Sequence, residues 1–418
     1  MTPGRAGSVT AATRVTWAWA LATVITIVFG DAPLNRAGAA ALTEAGNRTL
    51  RAARTPTIRT APGPWGTLEL TRIELDPPPS VVSRLAYGEV SKWSFASTDH
   101  AGVVAVLREA TLTPTQIDRC ERHGRWTTNG PDTTLDPPVD VVFALSPEAR
   151  TRLYRVLATS PANFHHRNPM PVSLAAIAVV DAARLTPQTL QRFHNVLYGT
   201  GSWRMLSDIP ALLIGCASPA ERIRLMTAIL RSESYVPRLV VTQGTDVETL
   251  LNYWSAHGRN EAIRPLLESI ARLPGETGVD VRGLLPSWPS GHINRYPRPA
   301  HPTEAVADCF WTALNFFDDP PSTTPQTAAN VVAALKTRYR PVSEPAFGDL
   351  VILLNGAGAP VHAGVFIADE LVLTKNGGGV LRPWVYMKLP DVVDLYASIH
   401  GRLRTVFVTE SRVNAAPR

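Results

Sequence analysis

Cysteine is scarce in this chain: three residues, Cys120, Cys216 and Cys309, in 418. An odd count rules out a fully paired disulfide framework and leaves at least one thiol free. Dense runs of lysine or arginine are also missing. With 41 basic against 35 acidic residues the formal charge is +6, so there is no nucleic-acid footprint, and attraction to an anionic wall or membrane surface is unforced. The apolar stretch Val15–Phe29 is short for a membrane span. Preceded by Arg5 and Arg14, and followed by Ala37-Gly38-Ala39 or the nearer Gly30-Asp31-Ala32 as cleavage sites, it reads as a secretory signal. Left uncleaved, it is an inner-membrane tether. No cysteine follows it, which excludes a lipoprotein anchor. The chain is therefore expected in the periplasm or cell envelope.

What is abundant is proline, with 36 residues, alongside 45% apolar and 18% charged residues. That is a folded protein with long proline-rich connections. Its length predicts two or three domains. Residues 1–39 are the signal or tether. Residues 40–80, ending in Asp76-Pro77-Pro78-Pro79, read as a loose leader or linker. Residues 81–285 read as a mostly helical domain, because hydroxyls precede proline at Thr113-Pro114, Ser146-Pro147, Thr186-Pro187 and Ser218-Pro219, with Thr245-Asp246 as a fifth start. Apolar residues then recur at helical spacing, as at Leu153, Val156 and Leu157. Adjacent His165 and His166 diverge on any regular element and predict no shared metal. Trp203, Tyr253 and Trp254 suit either a groove or a core. The Pro/Gly/Ser-rich run Leu285–His292 marks a boundary, and 290–418 is the last domain.

That last domain carries the candidate chemistry. Asp308-Cys309-Phe310-Trp311-Thr312-Ala313-Leu314 reads as the first turn of a buried helix, where the macrodipole and a nearby imidazolium lower a thiol pKa. Asp318-Asp319-Pro320 ends that helix and Thr324-Pro325-Gln326 starts another through Leu335. Strands are expected from Leu350, Val361, Leu371 and Thr405, with His362 opening the second. Asp349, before an apolar strand, reads as a loop cap. Trp311 reads as core, on one face with Asn315.

Cys on a helix, then Gly348-Asp349 opening a strand, then His362 opening another, resembles the NlpC-type family of papain-like cell-wall cysteine peptidases. The resemblance covers roughly the last 130 residues. It implies an α+β fold in which a papain-like domain with a small antiparallel sheet follows the helical region. It also implies a bacterial hydrolase acting on peptidoglycan stem peptides without cofactor or metal, so the sequon Asn47-Arg48-Thr49 carries no meaning. Cys309 would be the nucleophile, His362 the base, and a polar residue on the next strand the orienter. Asn376 is preferred for its far-reaching carbonyl, with Thr374 the other acceptor on its face. Lys375 has donors only. Tyr296 stands where the family carries a site-lining tyrosine, and a packed linker aromatic is the alternative. With Cys309 assigned, Cys120 and Cys216 either pair or stay reduced and buried. The family's Asp-Cys-Ser-Gly is Asp308-Cys309-Phe310-Trp311 here. Such bulk beside the thiol motivates a second expectation, a catalytically idle binding module on a helical scaffold.

Overall fold

The computed structural model describes residues 57–85, 91–256, 261–298 and 300–411. The signal segment, its cleavage sites and the sequon lie outside them. The architecture is mixed α+β with several small antiparallel sheets. Among the described residues no helix is long and apolar enough to cross a membrane.

The expected leader is partly a sheet. Thr57–Arg59 and Thr67–Leu75 are strands, and the second pairs antiparallel with Ser232–Thr242 from Thr67 opposite Val240 to Leu75 opposite Ser232. Glu276–Asp280 completes the sheet on the far edge. Leu68 and Leu70, alternating with polar neighbours, point into the core and are fully buried. The flanking prolines had masked that short period-two signal.

Residues 76–231 thus lie between two paired strands of that sheet. The cap signals inside this insertion hold. Thr113, Ser146, Thr186 and Ser218 each accept a backbone N–H in the first turn, with proline at the start of the helix, and Thr113 forms a reciprocal box with Gln116. At the fifth start the carboxylate wins over the hydroxyl: Asp246 accepts from the Thr249 amide at 3.1 Å, while Thr245 caps the preceding turn through the Thr242 amide. The insertion also contains a three-stranded and a two-stranded sheet, so it is less uniformly helical than the sequence suggests. It buries two apolar clusters. Cys120 sits in one and Cys216 in the other, and all three cysteines are free. The expected alternative of a Cys120–Cys216 bridge is not formed.

The C-terminal sheet has six strands in the order Tyr339–Val342, Arg404–Glu410, Leu350–Leu354, Pro360–Ala368, Leu371–Lys375 and Trp384–Lys388. All neighbours are antiparallel. The Cys309 helix spans Cys309–Leu314 and packs on one face; helix Leu389–His400 lies on the other. The second helix of this half starts later than expected, at Ala328, capped by Thr327.

The run at 285–292 is packed core rather than an open linker. Ser287–His292 is a short helix whose Trp288 stacks on His292 at 4.4 Å and meets Trp311 and Trp384 edge-on at 4.9 and 5.4 Å. One continuous cluster joins Leu68, Leu239 and Trp254 of the first sheet to Trp311, Val365 and Trp384 of the second. A single indole amid Pro, Ser and Gly converts a linker-like sequence into core, because an aromatic that size buries 150–250 Å². Tyr253 and Trp254, left between groove and core, are core; the Tyr253 hydroxyl donates to the Ile367 carbonyl at 2.9 Å.

Candidate functional site

Cys309 is the first residue of its helix, and Asp308 caps that helix by accepting from the Trp311 amide at 2.7 Å. The thiol is 8% exposed. Burial, and then the Asp308 carboxylate, push it up to about 12; the Ala363 and Phe310 amides aimed at the sulfur and the Lys375 ammonium pull the other way and lose. A helix of six residues has little dipole to set against that. The expected depression of this thiol's pKa is not what the surroundings produce.

His362 lies on the neighbouring central strand, 1% exposed. Burial pulls its pKa down to about 3, with the His400 charge adding slightly. Its Nε2 is 2.9 Å from Thr374 Oγ1, and its ring stacks on Tyr396 at 3.9 Å. Nδ1 has no partner. Thr374 Oγ1 in turn donates to Asn376 Oδ1 at 3.5 Å, which fixes a consistent order of protons from Nε2–H through the hydroxyl to the amide oxygen.

Thr374 therefore holds the ring, and the preference for Asn376 is corrected: Asn376 is one bond removed, its Nδ2 directed at Met387 Sδ at 2.9 Å. The short hydroxyl reaches because Thr374 and His362 sit on adjacent strands with the same facing. Asn376 lies past the end of its strand.

The same parity separates Cys309 from His362. Ala363 pairs with Ile352 and points, with Val365 and Ile367, into the cluster that contains Cys309. His362 pairs with Leu353, which belongs to the Tyr396 cluster on the opposite face. A one-residue offset reverses the face of a strand side chain. The helix sulfur meets the backbone amide of Ala363 while the imidazole leaves from the other side of the sheet.

What shares the Cys309 face is Lys375. It is fully buried, donates to the carbonyls of Gly377 and Gly379 at 2.9 and 2.7 Å, and lies 5.6 Å over the Trp384 ring. Burial lowers its pKa to about 7, against the opposing pull of Asp308 and Cys309.

Phe310 and Trp311 are both core, and the Trp311 indole donates to the Ser322 carbonyl at 2.8 Å. Asn315 bonds Trp311 and Ser322. Asp349 closes its turn by accepting from the Ala346 amide at 2.8 Å, as read. Tyr296 is tied to Leu230 and Ser232 at the start of a first-sheet strand. It is a packed aromatic rather than a wall of the Cys309 site. His166 is buried edge-on to Tyr154, and among the described residues no three His, Cys, Asp or Glu side chains form a metal-binding group.

Two participants escaped the sequence reading. Tyr396 rides on helix Leu389–His400, whose signature was present in Pro390 in the first turn and in Val392, Leu395 and Tyr396 at helical spacing. Lys375 carries only donors, which excludes it as an orienter of imidazole, and no sequence signal places it beside Cys309. Replacing Thr374 with Val strands the His362 Nε2–H in a dry interior, so Thr374→Val should lower stability by about 1–3 kcal/mol, read as a shift in urea midpoint. An unchanged midpoint would show that the hydroxyl does not hold the ring.

Comparison with protein families, curated proteins and solved structures gives no match for this chain.

Proposed function

We propose that this chain is an exported binding and scaffolding protein of the cell envelope whose papain-like C-terminal region is catalytically idle. The observation that carries this reading is the opposite facing of Cys309 and His362 across one strand. Nucleophilic thiol catalysis needs the sulfur and a base within hydrogen-bond reach, and it needs the thiolate–imidazolium charge state to be accessible. Burial acts against both members: a thiol near 12 stays protonated at neutral pH, and an imidazole near 3 stays neutral. Phe310 and Trp311, buried where the family carries Ser and Gly, put bulk beside the thiol where a substrate groove would run.

A second reading, an exported cysteine amidohydrolase acting on peptidoglycan stem peptides through Cys309, His362 and Asn376, draws on two features. The sulfur receives two backbone amides, and Lys375, near 7, shares its face. In that reading the strand must turn His362 through the sheet before any chemistry.

Incubating the purified mature protein and its Cys309→Ala variant with defined muropeptides, with products read by mass, separates the two. The idle module gives identical, uncleaved spectra. A fragment released by the wild type and absent with Cys309→Ala contradicts it.

A further inference from the structure

Between the two sheets and the insertion lies a cleft of about 320 Å³, within the size range of small-ligand sites. Its walls include Leu174, Trp203, Tyr235 and Leu395, and its lining includes Arg382 and Asn376. The charges around it are not equivalent. Arg72 pairs with Glu233, and Arg231 pairs with Glu74 at 3.1 Å and Asp76 at 2.6 Å.

Arg382 has no carboxylate partner among the described residues. Its Nη2 donates to the Pro171 carbonyl at 3.2 Å, which leaves most of the five donors of a guanidinium without a partner among the described residues. Partial burial lowers its pKa from the ordinary value, against the opposing pull of the Tyr296 and Tyr396 phenols. Arg382 is half-buried in the cleft wall, so its guanidinium is partly desolvated and still open to a ligand, and a charge in that position is best completed by an anion. Asp391, exposed at the rim and without an ion pair among the described residues, disfavours a second negative charge on the same ligand.

We infer that this cleft binds a small monocarboxylate with an apolar body, the carboxylate taken by the Arg382 guanidinium fork and the body lying against Trp203, Leu174 and Leu395. A planar fork matches a carboxylate in two parallel N–H···O bonds, which an ammonium does not reproduce. The site is separate from Cys309 and stands whether or not that thiol reacts.

Titration calorimetry with N-acetyl-leucine and N-acetyl-leucinamide tests it, since the two differ only in the charged end. The acid should bind the wild type with an affinity at least tenfold above that of the amide. Arg382→Gln should lose that difference, and Arg382→Lys should fall between. Equal binding of acid and amide, no binding of the acid at millimolar concentration, or unchanged binding by Arg382→Gln would overturn the inference. So would inorganic phosphate binding as tightly as the acid. If Arg382→Gln does not fold, the acid-against-amide comparison on the wild type decides alone.

Discussion

Acidification from pH 7 to pH 4 should erode the stability of this protein at two buried histidines. His362 and His166 are buried neutral, each with its pKa pulled down from the ordinary 6.5 to about 3 chiefly by desolvation. Above pH 6.5 neither folded nor unfolded chain carries these protons, so the two histidines are silent. As pH falls through 6.5 the unfolded chain takes up protons that the folded one refuses until about 3, and stability declines across that window. Each group contributes a slope of about 1.4 kcal/mol per pH unit. Together they reach roughly 7 kcal/mol at pH 4, comparable to the whole stability of a typical domain. Asp208, Asp308 and Asp391, whose carboxyls burial holds above their usual range, act in the opposite sense. The decisive quantity is therefore the difference between proteins: His362→Gln and His166→Gln should each flatten the slope of urea stability against pH by about 1.4 kcal/mol per unit. Parallel slopes in wild type and variants would mean these rings are not buried neutral.

Removing the carboxylate at Asp208 is expected to cost about 3–5 kcal/mol. Arg150, fully buried on helix Pro147–Leu157, bonds Asp208, and its Nη2 donates to the Val142 carbonyl at 2.7 Å. The Tyr154 hydroxyl donates to the same carboxylate at 2.7 and 2.6 Å. In Asp208→Ala the guanidinium stays in the interior without its counter-charge. The double variant Arg150→Met with Asp208→Leu removes both charges and should recover most of the loss, since a buried pair is expensive mainly when broken. Urea titration of the three proteins checks this. A loss below about 1 kcal/mol in the single variant would show that water reaches Arg150.

Much of the fold was legible in local chemistry. Four Ser/Thr-Pro starts and the strands from Leu350, Val361 and Leu371 were visible because caps and apolar runs act over a few residues. What could not be read depends on pairing at long range. Thr67–Leu75 is a strand because Ser232–Thr242, more than 150 residues later, comes to lie beside it. The Pro-rich run at Trp288 is core because Trp311 and Trp384 arrive around it.

The candidate site shows the same limit. Cys309 at a helix start and His362 on a strand were both found by type and place. Whether they meet turns on a one-residue parity, fixed by the pairing of His362 with Leu353 and of Ala363 with Ile352. The reach of its carbonyl favours Asn376, yet Thr374 holds the ring because it shares the His362 face inside the ladder, while Asn376 lies beyond the strand's end.

The rate of Cys309 alkylation by iodoacetamide in the folded protein, followed by peptide mass from pH 6 to 10, tests the central claim most directly. A buried thiol near 12, without an imidazolium beside it, should show negligible labelling below pH 9 and then a rise that tracks the hydroxide concentration, with full labelling only after unfolding. Rapid labelling of Cys309 on a plateau between pH 6 and 7, abolished by His362→Gln, would mean that the sulfur and the ring form an ion pair after all, and that the chain is built for thiol catalysis.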